Sequence, residues 1–193
     1  MNRVSDPAGG GAALEAQIAV GDVAETQRFA QRLGELLQAG DLLVLTGELG
    51  AGKTTFTQGL GLGLGVREGI ISPTFVLSRI HPSLAKGPDL VHVDAYRLES
   101  AGEVDDLDLE SSMRSSVTVV EWGQGKVEQL SDSRLEIRLV RAGSADTGGE
   151  LVFDFHEGED EEPRTIILGA YGPRWERHEA LAELLNDFNS SRK

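Results

Sequence analysis

The stretch GELGAGKTT at 47–55 satisfies the spacing GxxxxGK[ST] at every fixed position, and it follows the apolar run DLLVLT at 41–46. Glycines at this spacing let the backbone curl so that successive N–H groups point inward at phosphate oxygens. A helix opening at the end of such a loop adds its positive dipole end. Lys53 suits the β- and γ-phosphates of a nucleotide, and the Thr54 hydroxyl suits Mg²⁺. The expected nucleotide contacts are therefore Gly47, Glu48, Leu49, Gly50, Ala51, Gly52, Lys53, Thr54 and Thr55. A chance glycine turn would have no reason to sit between an apolar strand and the start of a helix.

A magnesium nucleotide site also needs acids at the ends of neighbouring strands. Two segments offer apolar residues followed by a carboxylate: LVHVD, ending at Asp94, and VTVVE, ending at Glu121. Both acids should emerge at the C-terminal edge of a sheet, beside the phosphate loop. One suits Mg²⁺, directly or through water, and the other suits the attacking water. The pattern leaves open which acid does which, and an ordinary strand-end carboxylate is the alternative for either. His92 and Asp94 alternate onto one strand face, but no third metal ligand lies nearby in sequence. HEALA at 178–182 starts like a zinc-protease helix but has Ala182 where its second histidine belongs. Trp122 suits either a base platform or an ordinary core or rim position.

These residues need elements to hold them. Helical spacing of Phe29, Leu33, Leu36 and Leu37 predicts a helix over 23–39, with Gly40 as its stop. A buried strand is expected over 42–46 and a helix from about Gly52. That helix should weaken in GLGLGLGV, where glycines stand at 59, 61, 63 and 65. Strands are expected over 74–80, 89–94, 116–122, 134–140, 150–155 and 164–170, and an amphipathic helix over 174–188. The acidic EVDDLDLE at 103–110 reads as a helix start. Residues 1–16 read as a flexible tail, and 17–193 as a single domain with a solvated acidic loop near 156–163, where EGEDEEP carries five acids in six positions. Strand–helix–strand order followed by clustered strands predicts an α/β domain with a mixed, mostly parallel sheet flanked by helices.

Composition limits the partners. The 193 residues carry a formal net charge of −14 and no cysteine, which excludes disulfides and thiolate metal sites. The chain has four lysines, one of them in the phosphate loop. Tight unaided binding to RNA or DNA is not expected from so acidic a chain. No stretch approaches a membrane span or a signal-peptide core, so a cytoplasmic protein is the expectation. A guanine-reading NKxD segment is absent. Arg134, Arg138 and Arg141 are spaced as on a strand rather than as the lid of a small-molecule kinase.

Taken in order, TGELGAGKTTFTQGLGLGLGV, ISPTF, VHVDAYRL and VVEWGQ resemble the TsaE family, also called YjeE. These are small bacterial P-loop ATPases of tRNA threonylcarbamoyladenosine biosynthesis. The likeness runs from about Thr26 to Trp122 and returns weakly at RTIILGAYG. It implies a P-loop NTPase-like fold, ATP and Mg²⁺ as cofactors, and TsaD and TsaB as protein partners, with tRNA met only through their complex. By motif it implies that Lys53 and Thr54 hold phosphate and magnesium, and that Asp94 is the Walker-B-like acid. Glu121 becomes a magnesium ligand or base, Ser72-Pro73-Thr74 a switch-like loop sensing the γ-phosphate, and Thr26 a nucleotide contact. The tail and the acidic stretch at 141–163 depart from the family's usual length and inherit no function from it.

Overall fold

A computed structural model describes residues 11–73, 76–98, 100–142 and 162–190. Its elements are β1 (Leu14–Val20), α1 (Val23–Gly34), β2 (Leu42–Thr46), α2 (Lys53–Leu64), β3 (Ser78–His81), β4 (Asp89–Asp94), α3 (Ala101–Asp105), α4 (Leu109–Met113), β5 (Ser116–Glu121), a 3₁₀ turn (Glu128–Leu130), β6 (Arg134–Arg141), β7 (Arg164–Tyr171) and α5 (Glu179–Ser190). The strands form one sheet in the order β1-β7-β6-β2-β5-β4-β3. The central β6, β2, β5 and β4 are mutually parallel, while β1–β7, β7–β6 and β3–β4 pair antiparallel. This is the mixed, mostly parallel sheet flanked by helices that the sequence predicts. No helix among the described residues is long and apolar enough to cross a membrane.

β2 is covered on both faces, as a central parallel strand should be. Leu43 and Leu45 join a core with Phe29 of α1, Phe56 of α2 and Leu181 of α5. Leu42 and Val44 turn the other way, toward Val104 of α3 and Met113 of α4. After β2 the chain builds β4 and β5 on one side, then crosses to β6 on the other. The loop leaving β2 therefore sits at the point where strand order reverses, the crevice in which open α/β sheets bind ligands.

Five features depart from the sequence expectation. β1 begins at Leu14 and pairs along its length with β7, so part of the presumed tail belongs to the sheet. Its exposed alternate residues and alanines hide the strand signal until β7 is present. α1 stops at Gly34 rather than near residue 39; beyond it Leu36 O accepts from Arg174 Nη2, and Gln38 N donates to Asp41 Oδ2. The strand expected over 74–80 starts only at Ser78, because Val76 N and Leu77 N both turn back to Pro73 O. The final helix begins at Glu179 rather than 174. Arg174 is drawn away to Asp41 and Ser133, Trp175 is buried, and His178 Nδ1 accepts from Leu181 N at the helix start. The strand expected over 150–155, and the acidic loop except Glu162 and Pro163, lie outside the described residues.

The fifth departure concerns α2, which continues through its glycines to Leu64. A Cβ on Gly59 would lie 2.5 Å from Gln27 O and 2.7 Å from Ala30 Cβ, and one on Gly63 would collide with Gln31 O. α1 and α2 thus approach closely enough that their backbones nearly touch. Three helical glycines forfeit roughly 0.5–1 kcal/mol each relative to alanine. Full burial of Phe29, Leu33, Phe56 and Leu60, at about 1.5–3 kcal/mol per side chain, more than offsets that loss.

Gly63→Ala is accordingly expected to destabilise the fold by about 1–3 kcal/mol, despite alanine's intrinsic advantage in a helix. Urea denaturation measures this directly. A gain in stability would show that the helices do not pack through Gly63.

Candidate functional site

Strand β2 hands the chain into the loop at Gly47, and α2 starts again at Lys53. Gly47, Gly50 and Gly52 have φ of 140°, 77° and 99°, a left-handed path that side-chain-bearing residues rarely follow. Gly52 is the N-cap of α2 without a capping side chain, so the first backbone N–H groups of the helix remain available to an anion. Ala51 N donates to Glu48 O at 3.1 Å and Phe56 N to Gly52 O at 2.8 Å, closing the loop at both ends. Leu49 at its tip is exposed.

Lys53 is only 6% exposed. Its Nζ donates to Gly47 O and Glu48 O, each at 2.8 Å. It also stands 3.9 Å from the centroid of the Trp122 ring. Burial pushes the ammonium below the usual lysine pKa, while the charges of Glu121 and Asp94 push it back up. The indole thus lies beside Lys53 at the start of α2. Its unusual φ of 61° is held by Trp122 N donating to Leu45 O at 2.8 Å, and Tyr96 meets its ring edge to face at 5.2 Å.

The two acids arrive as expected. Asp94 and Glu121 are the last residues of β4 and β5 and lie opposite each other in the parallel ladder. Glu121 is the acid that reaches the loop: its Oε1 accepts from Thr54 Oγ1 at 3.2 Å. The same oxygen lies 2.8 Å from His92 Nε2. Asp94 Oδ1 accepts from Tyr96 N at 2.9 Å, and Oδ2 accepts from Ser72 Oγ at 3.4 Å. Ser72 of the SPTF segment thus meets Asp94, although Thr74 itself is outside the described residues. Thr55 follows Thr54 in the first turn of α2. Thr26 is buried on α1 and its hydroxyl donates to Asp22 O at 3.0 Å; among the described residues no hydrogen bond ties it to the loop.

Sequence reasoning missed three neighbours. His92 engages Glu121 rather than forming a metal pair with Asp94, a diagonal pairing visible only once β4 and β5 are in register. Arg141 and Arg164 flank the loop's other side: Arg141 Nη1 lies 3.6 Å from the Cβ position of Gly50, and Arg164 Nε 3.5 Å from that of Gly52. Arg141 Nε donates to Glu162 Oε2 at 2.7 Å. No sequence signal connects these three, because β4, β6 and β7 are brought around the loop only by the sheet order.

The curled loop, helix N-terminus, buried ammonium and two adjacent carboxylates meet at one end of the sheet. The family model described as threonylcarbamoyl adenosine biosynthesis protein TsaE matches residues 20–147. The tRNA threonylcarbamoyladenosine biosynthesis protein TsaE of Streptomyces coelicolor is 52% identical over 150 residues, covering 77% of this chain and 93% of that protein. Its Bacillus subtilis counterpart is 39% identical over 130 residues, covering 67% and 78% respectively. The crystal structure of YdiB from Bacillus subtilis superposes with a TM-score of 0.62 at 28% identity, over 93% of this chain and 97% of that one. The chain belongs to the TsaE family.

Proposed function

We propose that this protein binds magnesium ATP at 47–55 and hydrolyses it slowly, and that this turnover lets TsaD and TsaB cycle in forming threonylcarbamoyladenosine on tRNA. The observation that carries the reading is the convergence of Lys53, Thr54 and Glu121 on one loop at the start of α2. The residues fit the group: the donors facing the site are oxygens of Thr54, Glu121 and Asp94, as a hard divalent cation requires. Thr54 and one of the two carboxylates would hold the magnesium, which neutralises phosphate charge when bound. Backbone N–H groups of the loop grip the phosphates, and Lys53 supplies the nearby positive charge. The carboxylate that does not hold the metal orients the attacking water. Thr26 and Thr74 are proposed as further nucleotide contacts on the motif alone.

A protein partner fits the surface. Leu49, Ile71, Val76 and Tyr96 are exposed apolar side chains on segments around the loop, while the net charge of −14 disfavours direct grip on tRNA. The deciding experiment mixes TsaD, TsaB, tRNA and the threonylcarbamoyl donor with this chain. Repeated turnovers should require both the chain and ATP. Equal support from a non-hydrolysable ATP analogue would make the protein a nucleotide-dependent scaffold. Fast ATP consumption with one metabolite, independent of those partners, would make it a kinase.

Lys53→Ala removes charge-assisted hydrogen bonds to phosphate and should weaken ATP by about 1.5–3 kcal/mol, roughly 10- to 150-fold. Calorimetry giving equal affinities would refute the loop assignment. Glu121→Ala and Asp94→Ala should instead leave ATP affinity within about tenfold, ~1.4 kcal/mol, while abolishing most hydrolysis in the presence of TsaD and TsaB. Wild-type hydrolysis by either variant would reduce that acid to an ordinary strand end. The isolated protein should show no submicromolar tRNA binding in a gel shift at physiological salt.

A further inference from the structure

His92 lies outside the phosphate loop and has no part in the chemistry above, yet it is enclosed completely at the centre of β4. Its register partner on β5 is Val119, so Glu121 is its diagonal neighbour on the same sheet face. The side chains meet: Nε2 lies 2.8 Å from Glu121 Oε1. A carboxylate only accepts hydrogen bonds, so Nε2 carries the proton and donates it. Nδ1 has no hydrogen-bond partner among the described residues. The His81 ring, 6.2 Å away between centroids, flanks the imidazole from β3.

Glu121 Oε1 receives two donors, His92 Nε2 and Thr54 Oγ1. Oε2 takes no protein hydrogen bond among the described residues. The terminal torsion of a glutamate is soft, with broad and nearly twofold preferences, so a strand-end glutamate with one weak partner would sample several orientations. Thr54, at 3.2 Å, is the longer contact and stands in the first turn of α2, at the end that must accommodate ligand. His92 belongs to the rigid interior of the sheet. It therefore supplies the fixed reference for the carboxylate plane.

We propose that His92 is a positioning residue that orients Glu121, its contact with Oε1 fixing the carboxylate that would hold magnesium. The proposal rests on the magnesium-nucleotide reading above and deepens it. Hydrogen-bond partners behind a metal-holding side chain commonly change metal affinity 10- to 100-fold when removed, and an effect of that size is expected here. A histidine that merely fills the core would have no such link to magnesium.

The test compares two substitutions in the full-length protein, because they place an amide donor at different reach. Glutamine sets its NH₂ near the position of Nε2, whereas asparagine sets it near Nδ1. ATP binding is followed by calorimetry over a range of free Mg²⁺, with thermal melting to confirm folding. In His92→Asn the half-saturating Mg²⁺ should rise about 10- to 100-fold, while in His92→Gln it should stay within about threefold. ATP binding without magnesium should change less than about threefold in both. Equal magnesium responses of the two variants, or a wild-type response from the asparagine variant, would overturn the proposal. Magnesium-indifferent ATP binding by the wild type would instead remove the underlying reading of the site. Nitrogen-15 spectra of wild-type histidines test the same bond without any core substitution. His92 should show a proton on Nε2, and its resonance should move when Mg²⁺ is added to the ATP-bound protein. A resonance unmoved by magnesium would equally overturn the assignment.

Discussion

The near-buried ammonium of Lys53 sets the terms for the structure around it. A charge taken out of water is costly unless it is paired and hydrogen-bonded. Here the compensation comes from two loop carbonyls, the face of Trp122 and the fields of Glu121 and Asp94. Each of these demands something more distant. The carbonyls turn toward Nζ only if the loop takes its left-handed path, which needs glycine at 47, 50 and 52. The carboxylates reach the loop only if β4 and β5 end level with each other, which the ladder ensures. The position of Lys53 in turn depends on α2, and α2 is seated by its close glycine contact with α1.

Strand parity decides which side chains share the site. Along β5, Val117 and Val119 face the core beneath α1 and α2, so Glu121, two residues on, faces the same way. Along β4, Leu90 does so, which brings His92 and Asp94 with it. One alternation therefore delivers hydrophobic cover at the strand centres and carboxylates at their ends. A one-residue slip would exchange Glu121 for Val120 or Trp122, or Asp94 for Val93 or Ala95, at the loop. The apolar core thus holds the register on which the polar chemistry depends, and His92 is the point where the two meet.

The antiparallel half of the sheet contributes differently. β6 and β7 carry Arg141 and Arg164 to the outer side of the loop, and Asp41 is tied across the molecule to Arg174. Burial raises the Asp41 carboxyl above its usual pKa, while Arg174 opposes that rise. This contact holds the chain after β7 against the turn that follows α1, and so supports the surface on which α1 and α5 pack. Phe188 of α5 completes it, meeting Phe29 edge to face at 5.1 Å.

The motif GELGAGKTT, the two acid-terminated strands and the α/β order were legible in the amino-acid sequence because they are local: glycine spacing, a short apolar run and a strand's last residue act over a few neighbours. The family resemblance was legible for the same reason, as an ordered set of such motifs. Long-range pairing decided the rest. The glycines of α2 read as helix breakers and proved to be contact points, since only a second helix can repay their lost propensity. β1 read as tail because its alternation is weak until β7 supplies a partner. α1 and α5 differ from their periodicity at the ends where Arg174 and Asp41 draw the backbone into other bonds. The pairing of Thr54 with Glu121, and of Glu121 with His92, joins residues 67 and 29 positions apart. Spacing along the chain carries no information about such pairs; sheet order and register create them.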